Sequence, residues 1–79
     1  MYSEPIIEVN GKTLVLPQIA LIGEIENFKN EYRFIVMVGH DYPVVVYFPT
    51  GEEAEKAKEN IGRALVLWYR HKDRFTNLL

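Results

Sequence analysis

TGEEAEKAKENIGRALVLWYRHKDRF, residues 50–75, decides the fold. Thr50 and Glu53 have capping-box spacing. The hydroxyl accepts from the free N–H of Glu53, and the carboxylate reaches back to the N–H of Thr50. Glu52, Glu53 and Glu55 lie near the positive end of the helix dipole, and Arg70, His71, Lys72 and Arg74 near the negative end. Ala54, Ala57, Ile61, Ala64, Leu65 and Trp68 recur on one stripe, which Phe75 extends. The small residues come first and the bulky ones later, so the helix is expected to start close to its support and end farther away. Glu55 and Glu59 sit at pairing distance from Lys56, Lys58 and Arg63 on the exposed side. Gly62 lies off the stripe and costs about 1 kcal/mol relative to Ala. Tolerance at an exposed site is the simpler reading of it. Close approach of another backbone is the sharper one.

Working back from Thr50, the chain reads as short strands. Val44 to Phe48 is one, leading through Pro49 into the helix. Gly39-His40-Asp41-Tyr42-Pro43 reads as the turn before it. Tyr32 to Val38 is the preceding strand, with Tyr32, Phe34, Val36 and Val38 on one face and Arg33, Ile35 and Met37 on the other. Asn27 to Glu31 reads as a polar turn. In the run Gln18 to Phe28, Ile19, Leu21 and Ile25 alternate with Ala20, Ile22, Glu24 and Glu26, and Gly23 marks a bulge or bend. Pro5 to Val9 and Lys12 to Leu16 flank Asn10-Gly11, a hairpin signal because both turn residues tolerate positive φ. Pro17 belongs at a strand end, an edge or a bend.

The expected fold is therefore α+β: an antiparallel β-meander of about four to five strands, with one long C-terminal helix packed on one face. A chain of 79 residues makes one domain. It comprises an N-terminal hairpin (5–16), the main strands (18–48) and the helix (50–75). The hairpin is either a flap or a cover for the sheet. No apolar run reaches the roughly 18 residues of a membrane span, and the N-terminus has no basic region leading into an apolar core. No membrane association and a cytoplasmic location are the expectation. The absence of cysteine removes disulfides, zinc thiolates and thiol catalysis. The net charge of −2 weighs against general nucleic-acid binding.

Val44-Val45-Val46-Tyr47-Phe48 is apolar on both faces, whereas a half-solvated antiparallel strand alternates apolar and polar residues. One helix covers one face. The other, with Val45, Tyr47, Ile35, Met37 and Ile22, needs a further cover. The hairpin, strong sheet curvature, a twin subunit or another protein would each supply one. Val66, Leu67 and Tyr69 lie off the helix stripe as well. A helix of about 22 residues is roughly 33 Å long, while four strands span about 15–20 Å, so its last turns overhang the sheet. Ile35, Met37, Val45, Tyr47, Leu67 and Tyr69 are the candidate partner interface.

Chemistry-bearing residues are sparse. His40-Asp41 has the residue types of a base and its orienting acid, but no nucleophile is placed beside them, and a solvated turn explains the pair. His40 and His71 as metal ligands would lack a third. No catalytic residue, metal ligand or cofactor is assigned. The segment Tyr69 to Phe75 mixes basic and aromatic residues as nucleic-acid surfaces do, and makes Arg70, Lys72 and Arg74 the contacts of an alternative reading. Complementing the helix dipole explains the same residues. Tyr32, Phe34 and Tyr47 resemble the stacking aromatics of RNA-binding sheets, but the β-α-β-β-α-β order of that family is missing.

Leu16-Pro17-Gln18-Ile19 through Glu24-Ile25-Glu26, then Tyr32-Arg33-Phe34-Ile35-Val36, Val45-Val46-Tyr47-Phe48 and Glu52-Glu53-Ala54-Glu55-Lys56-Ala57 together resemble a small bacterial and prophage-encoded type. Its members place strands first and then a C-terminal helix opening with an acidic, alanine-containing turn. The likeness spans about residues 14–69 and lies in the pattern of apolar positions. It implies a small accessory or phage-borne binding module. The expected function is thus a non-enzymatic protein-interaction module that associates with itself as a homodimer or with another protein. The alternative is a nucleic-acid-binding accessory protein.

Overall fold

The computed structural model of the protein describes residues 4–74. Six strands precede one helix: β1 (Ile6–Val9), β2 (Lys12–Val15), β3 (Ile19–Ile22), β4 (Glu26–Phe28), β5 (Glu31–Val38), β6 (Tyr42–Phe48) and α1 (Gly51–His71). The fold is α+β, with antiparallel strands in two separate sheets and the long helix after them.

β1 and β2 form a two-stranded sheet of their own. Their turn is Asn10-Gly11, with φ of 49° and 83°, the left-handed pair that a two-residue hairpin needs. Pro17 sits in a 3-10 turn, Leu16–Gln18, that leads into the second sheet. Two backbone bonds fasten this junction. The Leu16 N–H donates to the Pro5 carbonyl, and the Gly39 N–H to the Gln18 carbonyl, each at 2.8 Å.

β5 is the centre of the main sheet. β6 pairs with it from Tyr32↔Phe48 to Val38↔Tyr42. β3 and β4 share its other edge, β3 beside Val36–Val38 and β4 beside Glu31–Arg33. The run read as one strand from Gln18 to Phe28 is therefore broken in two. The register slips by a residue between Ile19 and Leu21, and again between Ile22↔Val36 and Glu26↔Arg33. The first slip overturns an assignment. Alternation put Ile19 with Leu21 and set Ile22 on the open face. The extra residue reverses that parity: Ile22 pairs with buried Val36 and packs on the core, while Leu21 turns outward beside Met37.

The turns are tighter than their composition indicated. β4 and β5 meet through Lys29-Asn30 alone, both at positive φ (50° and 66°). β5 and β6 meet through residues 39–41, so Tyr42 and Pro43 belong to β6.

The core lies between the inner face of the main sheet, α1 and the hairpin. Phe34, Val36, Val46 and Phe48 come from the sheet, Ala54 and Ile61 from the helix, and Val9, Leu14 and Leu16 from the hairpin and its exit. Phe34 and Phe48 stack with ring centroids 5.7 Å apart. The hairpin thus joins the helix side of the sheet and is not a cover for the other side. Ala57, Ala64, Leu65 and Trp68 pack around the core as the stripe predicts, while Phe75 lies outside the described residues.

The helix starts where its cap puts it. The Glu53 N–H donates to Thr50 Oγ1 at 3.2 Å, and Thr50 is extended (φ −131°). Glu59 pairs with Arg63 one turn on. The α-helix ends at His71 and tightens into a 3-10 turn, Lys72–Arg74, short of the expected bound at 75. Beyond Ile61 no described helix residue is fully buried, and Val66, Leu67 and Tyr69 are exposed, as an overhanging end requires.

Candidate functional site

Strand alternation builds the outer face of the main sheet from the residues that the core does not take. β5 contributes Arg33, Ile35 and Met37, and β6 contributes Pro43, Val45 and Tyr47. Cross-strand pairing sets Ile35 beside Val45, Met37 beside Pro43, and Arg33 beside Tyr47. β3 adds Leu21 against Met37, and β4 adds Glu26 against Arg33. The centre of the face is Ile35 and Val45. Tyr47 is 42% exposed and Leu21 56%. None of Leu21, Ile35, Met37, Val45 and Tyr47 belongs to the core or packs against it.

One end of this face is polar and held in place. Phe28, on β4, carries the Arg33 guanidinium 4.3 Å from its ring centroid and the Lys29 ammonium at 5.3 Å. Arg33 Nε also lies 3.6 Å from Glu26 Oε1, an ion pair beyond hydrogen-bond range. The other end is apolar, formed by Leu21, Met37 and Pro43. Gly23 opens a notch between the two ends. Its N–H donates to the Ile35 carbonyl at 2.7 Å, and a Cβ there would stand 3.4 Å from that oxygen. Gly23, Glu24, Glu26 and Ile35 line the resulting depression.

Of the six candidate interface residues, the structure brings four together: Ile35, Met37, Val45 and Tyr47. Leu67 and Tyr69 lie in the other layer, on the helix. At about 100° per residue they point some 160° apart, on opposite flanks of the core stripe, so they share no patch. Leu21 and Phe28 belong to the outer face and were missed. Leu21 was hidden by the register slip, and Phe28 by a turn taken to be longer than two residues.

Arg70 is exposed in the last helical turn, and Lys72 and Arg74 in the 3-10 turn that follows, where all three complement the helix dipole. Tyr32 and Phe34 face inward and Tyr47 outward, so the three aromatics form no stacking platform. His40 and Asp41 stand exposed on the turn between β5 and β6. Among the described residues no group of three or more His, Asp or Glu side chains is placed to hold a metal, and no helix is long and apolar enough to cross a membrane. A shallow depression of about 410 Å³ is lined by Lys29, Asn30, Glu31, Tyr47, Phe48 and Pro49 at the turn end of the sheet. No family model, curated protein or solved structure matches the chain.

Proposed function

We propose that this chain is a non-enzymatic interaction module that pairs with a second copy of itself through the outer face of the main sheet. The observation that supports this reading is the continuous patch of Leu21, Ile35, Met37, Val45 and Tyr47, over which no described element packs. Burial is worth about 25 cal/mol per Å² of apolar surface, so covering such a patch contributes several kcal/mol. The patch also suits a twofold arrangement. Turned about an axis near Ile35 and Val45, the Leu21 and Met37 end of one copy lies over the Tyr47 end of the other. A small accessory or phage-borne binding module, as the resemblance implies, fits the same role.

Size sets the strength of the pairing. β5 is eight residues long, and the sheet is three strands wide at any level. That gives a footprint of about 26 Å by 14 Å. It falls short of the roughly 800 Å² per partner of a standard interface, so the expected association is weak and concentration-dependent. Sedimentation equilibrium from about 10 µM to about 1 mM covers the range that this area class implies. A monomer throughout would overturn the reading. Where a dimer forms, Tyr47→Glu places a charge within the covered patch. We expect that variant to sediment as a monomer with its helical circular dichroism unchanged.

The exposed run Tyr69, Arg70, Lys72 and Arg74 supports a second, lesser reading as a nucleic-acid contact. A gel shift at low salt against DNA and RNA decides it.

A further inference from the structure

Among the described residues no strand pairs with the free edge of β6, and two devices sit on it. In an antiparallel ladder the N–H and C=O of one residue point to the same side, and successive residues alternate sides. The Gly23 N–H reaches the Ile35 carbonyl, so the odd-numbered residues of β5 face β3 and β4, and its even-numbered residues bond β6. Within β6 the even residues therefore bond β5. Pro43, Val45 and Tyr47 point off the sheet. An independent contact agrees: Asn10 Nδ2, from the turn of the other sheet, donates to the outward carbonyl of Tyr47.

A bare β-branched edge of this kind is a template for strand pairing, and its closest match is the same edge on another copy. Two copies paired antiparallel about a twofold axis have few registers to choose from. Centred on Val44 or Val45, the register sets Pro43, which has no N–H and carries a ring in its place, against an outward residue of the partner strand; centred on Tyr47 or Phe48, it does the same with Pro49. Such registers lose a bond and collide with the ring. Centred on Val46, Val45 meets Tyr47 of the second copy in two equivalent pairs. That register forms four backbone bonds, two of which need the Tyr47 carbonyl. Asn10 already occupies it.

We infer that Asn10 is an edge guard: its side chain, carried on the β1–β2 turn, blocks the one symmetric register of β6 that Pro43 and Pro49 leave open. The contact is autoinhibitory in the plain sense. Displacing the hairpin tip exposes Val45 and Tyr47 together as a pairing site for a second copy. This inference does not rest on pairing through the sheet face, because it uses backbone groups in the sheet plane.

The test compares Asn10→Gly with the parent chain. Glycine keeps the left-handed turn and removes the donor; Asn10→Asp serves if the glycine variant loses the hairpin. Both are made in the Tyr47→Glu background, so that face pairing does not contribute. Freeing one acceptor on each copy for strand bonding is expected to tighten self-association by about tenfold or more in sedimentation velocity. Amide hydrogen exchange at Val45 and at position 47 is expected to slow as concentration rises. Adding Val45→Pro, which removes an outward N–H that β5 does not use, returns the mass to that of the parent. An Asn10 variant that stays folded and associates no more than the parent overturns the inference. So does an oligomer in which these two amides exchange freely.

Discussion

The two faces of β5 and β6 are made of the same kind of side chain and meet opposite fates. Phe34, Val36 and Val46 are 0%, 0% and 1% exposed. Their immediate neighbours Ile35 and Val45 are only partly covered, and Tyr47 is 42% exposed. Hydrophobicity does not separate the faces. What separates them is that Ala54 and Ile61 of the helix and Val9, Leu14 and Leu16 of the hairpin all converge on one side. Burial is decided by covering elements elsewhere in the chain, and the described ones converge on one face. The apolar side chains of the second face stand outside the core cluster, and the proposed partner contact uses that face.

The largest expected effect breaks the inner face. Phe34→Ala removes a fully buried ring that stacks on Phe48. Such truncations cost about 3–5 kcal/mol. The low end of natural stability is about 5 kcal/mol, so the variant should be largely unfolded or melt far below the parent in a urea or thermal titration. Near-parental stability would mean that the core is not where the inner face puts it.

A matched pair sharpens the contrast. Val46 and Val45 are adjacent, identical and on opposite faces. Val46→Thr buries a hydroxyl among Phe34 and its neighbours and is expected to cost about 1–3 kcal/mol. Val45→Thr, on the outer face, should change the stability of the monomer by less than about 0.5 kcal/mol. Urea titrations at a concentration below self-association read both. Equal costs would erase the distinction between the faces.

These two faces were largely legible in the sequence where alternation ran unbroken, as in Tyr32 to Val38 and Val44 to Phe48. The helix was legible too, because Thr50, Glu53 and the alanine-led stripe are local signals that depend on nothing distant. The reading failed at Leu21 and Ile22. A register slip inverts parity, and no glycine or proline within β3 marks it. It failed again at Lys29-Asn30, which takes up left-handed geometry without the glycine that usually marks it. The run Gly39 to Pro43 reads as a turn, yet Pro43 lies within the β6 ladder. Its nitrogen faces the free edge, so β6 loses no bond to β5. Most of the outer-face site followed from alternation. Its separation from Leu67 and Tyr69 required knowing which face the helix covers.

The helix offers a smaller test of the same division between covered and open surface. Thr50→Ala removes the acceptor of the Glu53 N–H and should cost on the order of 1 kcal/mol. Its thermal midpoint is expected to fall with the core otherwise intact. An unchanged midpoint would place the helix start elsewhere.

Gly62 gives the smallest effect, of opposite sign, and it separates the two sheet faces from the helix as sites of contact. A Cβ built at Gly51 would lie 3.3 Å from the Tyr32 ring, so that glycine is held by packing. A Cβ at Gly62 would meet nothing within 4 Å. The sequence left two readings of Gly62, tolerance or close approach of another backbone, and within the described chain no backbone approaches. Gly62→Ala should therefore stabilise the monomer by about 0.5–1 kcal/mol, by gaining helix propensity without a clash. Its effect on association is the sharper readout. If the copies pair through Ile35, Val45 and Tyr47, the dissociation constant is unchanged, because the added methyl lies on the helix, outside the outer face. A variant that is more stable yet associates less would instead place a second backbone against Gly62, and move the contact from the sheet to the helix surface that carries Val66 and Tyr69.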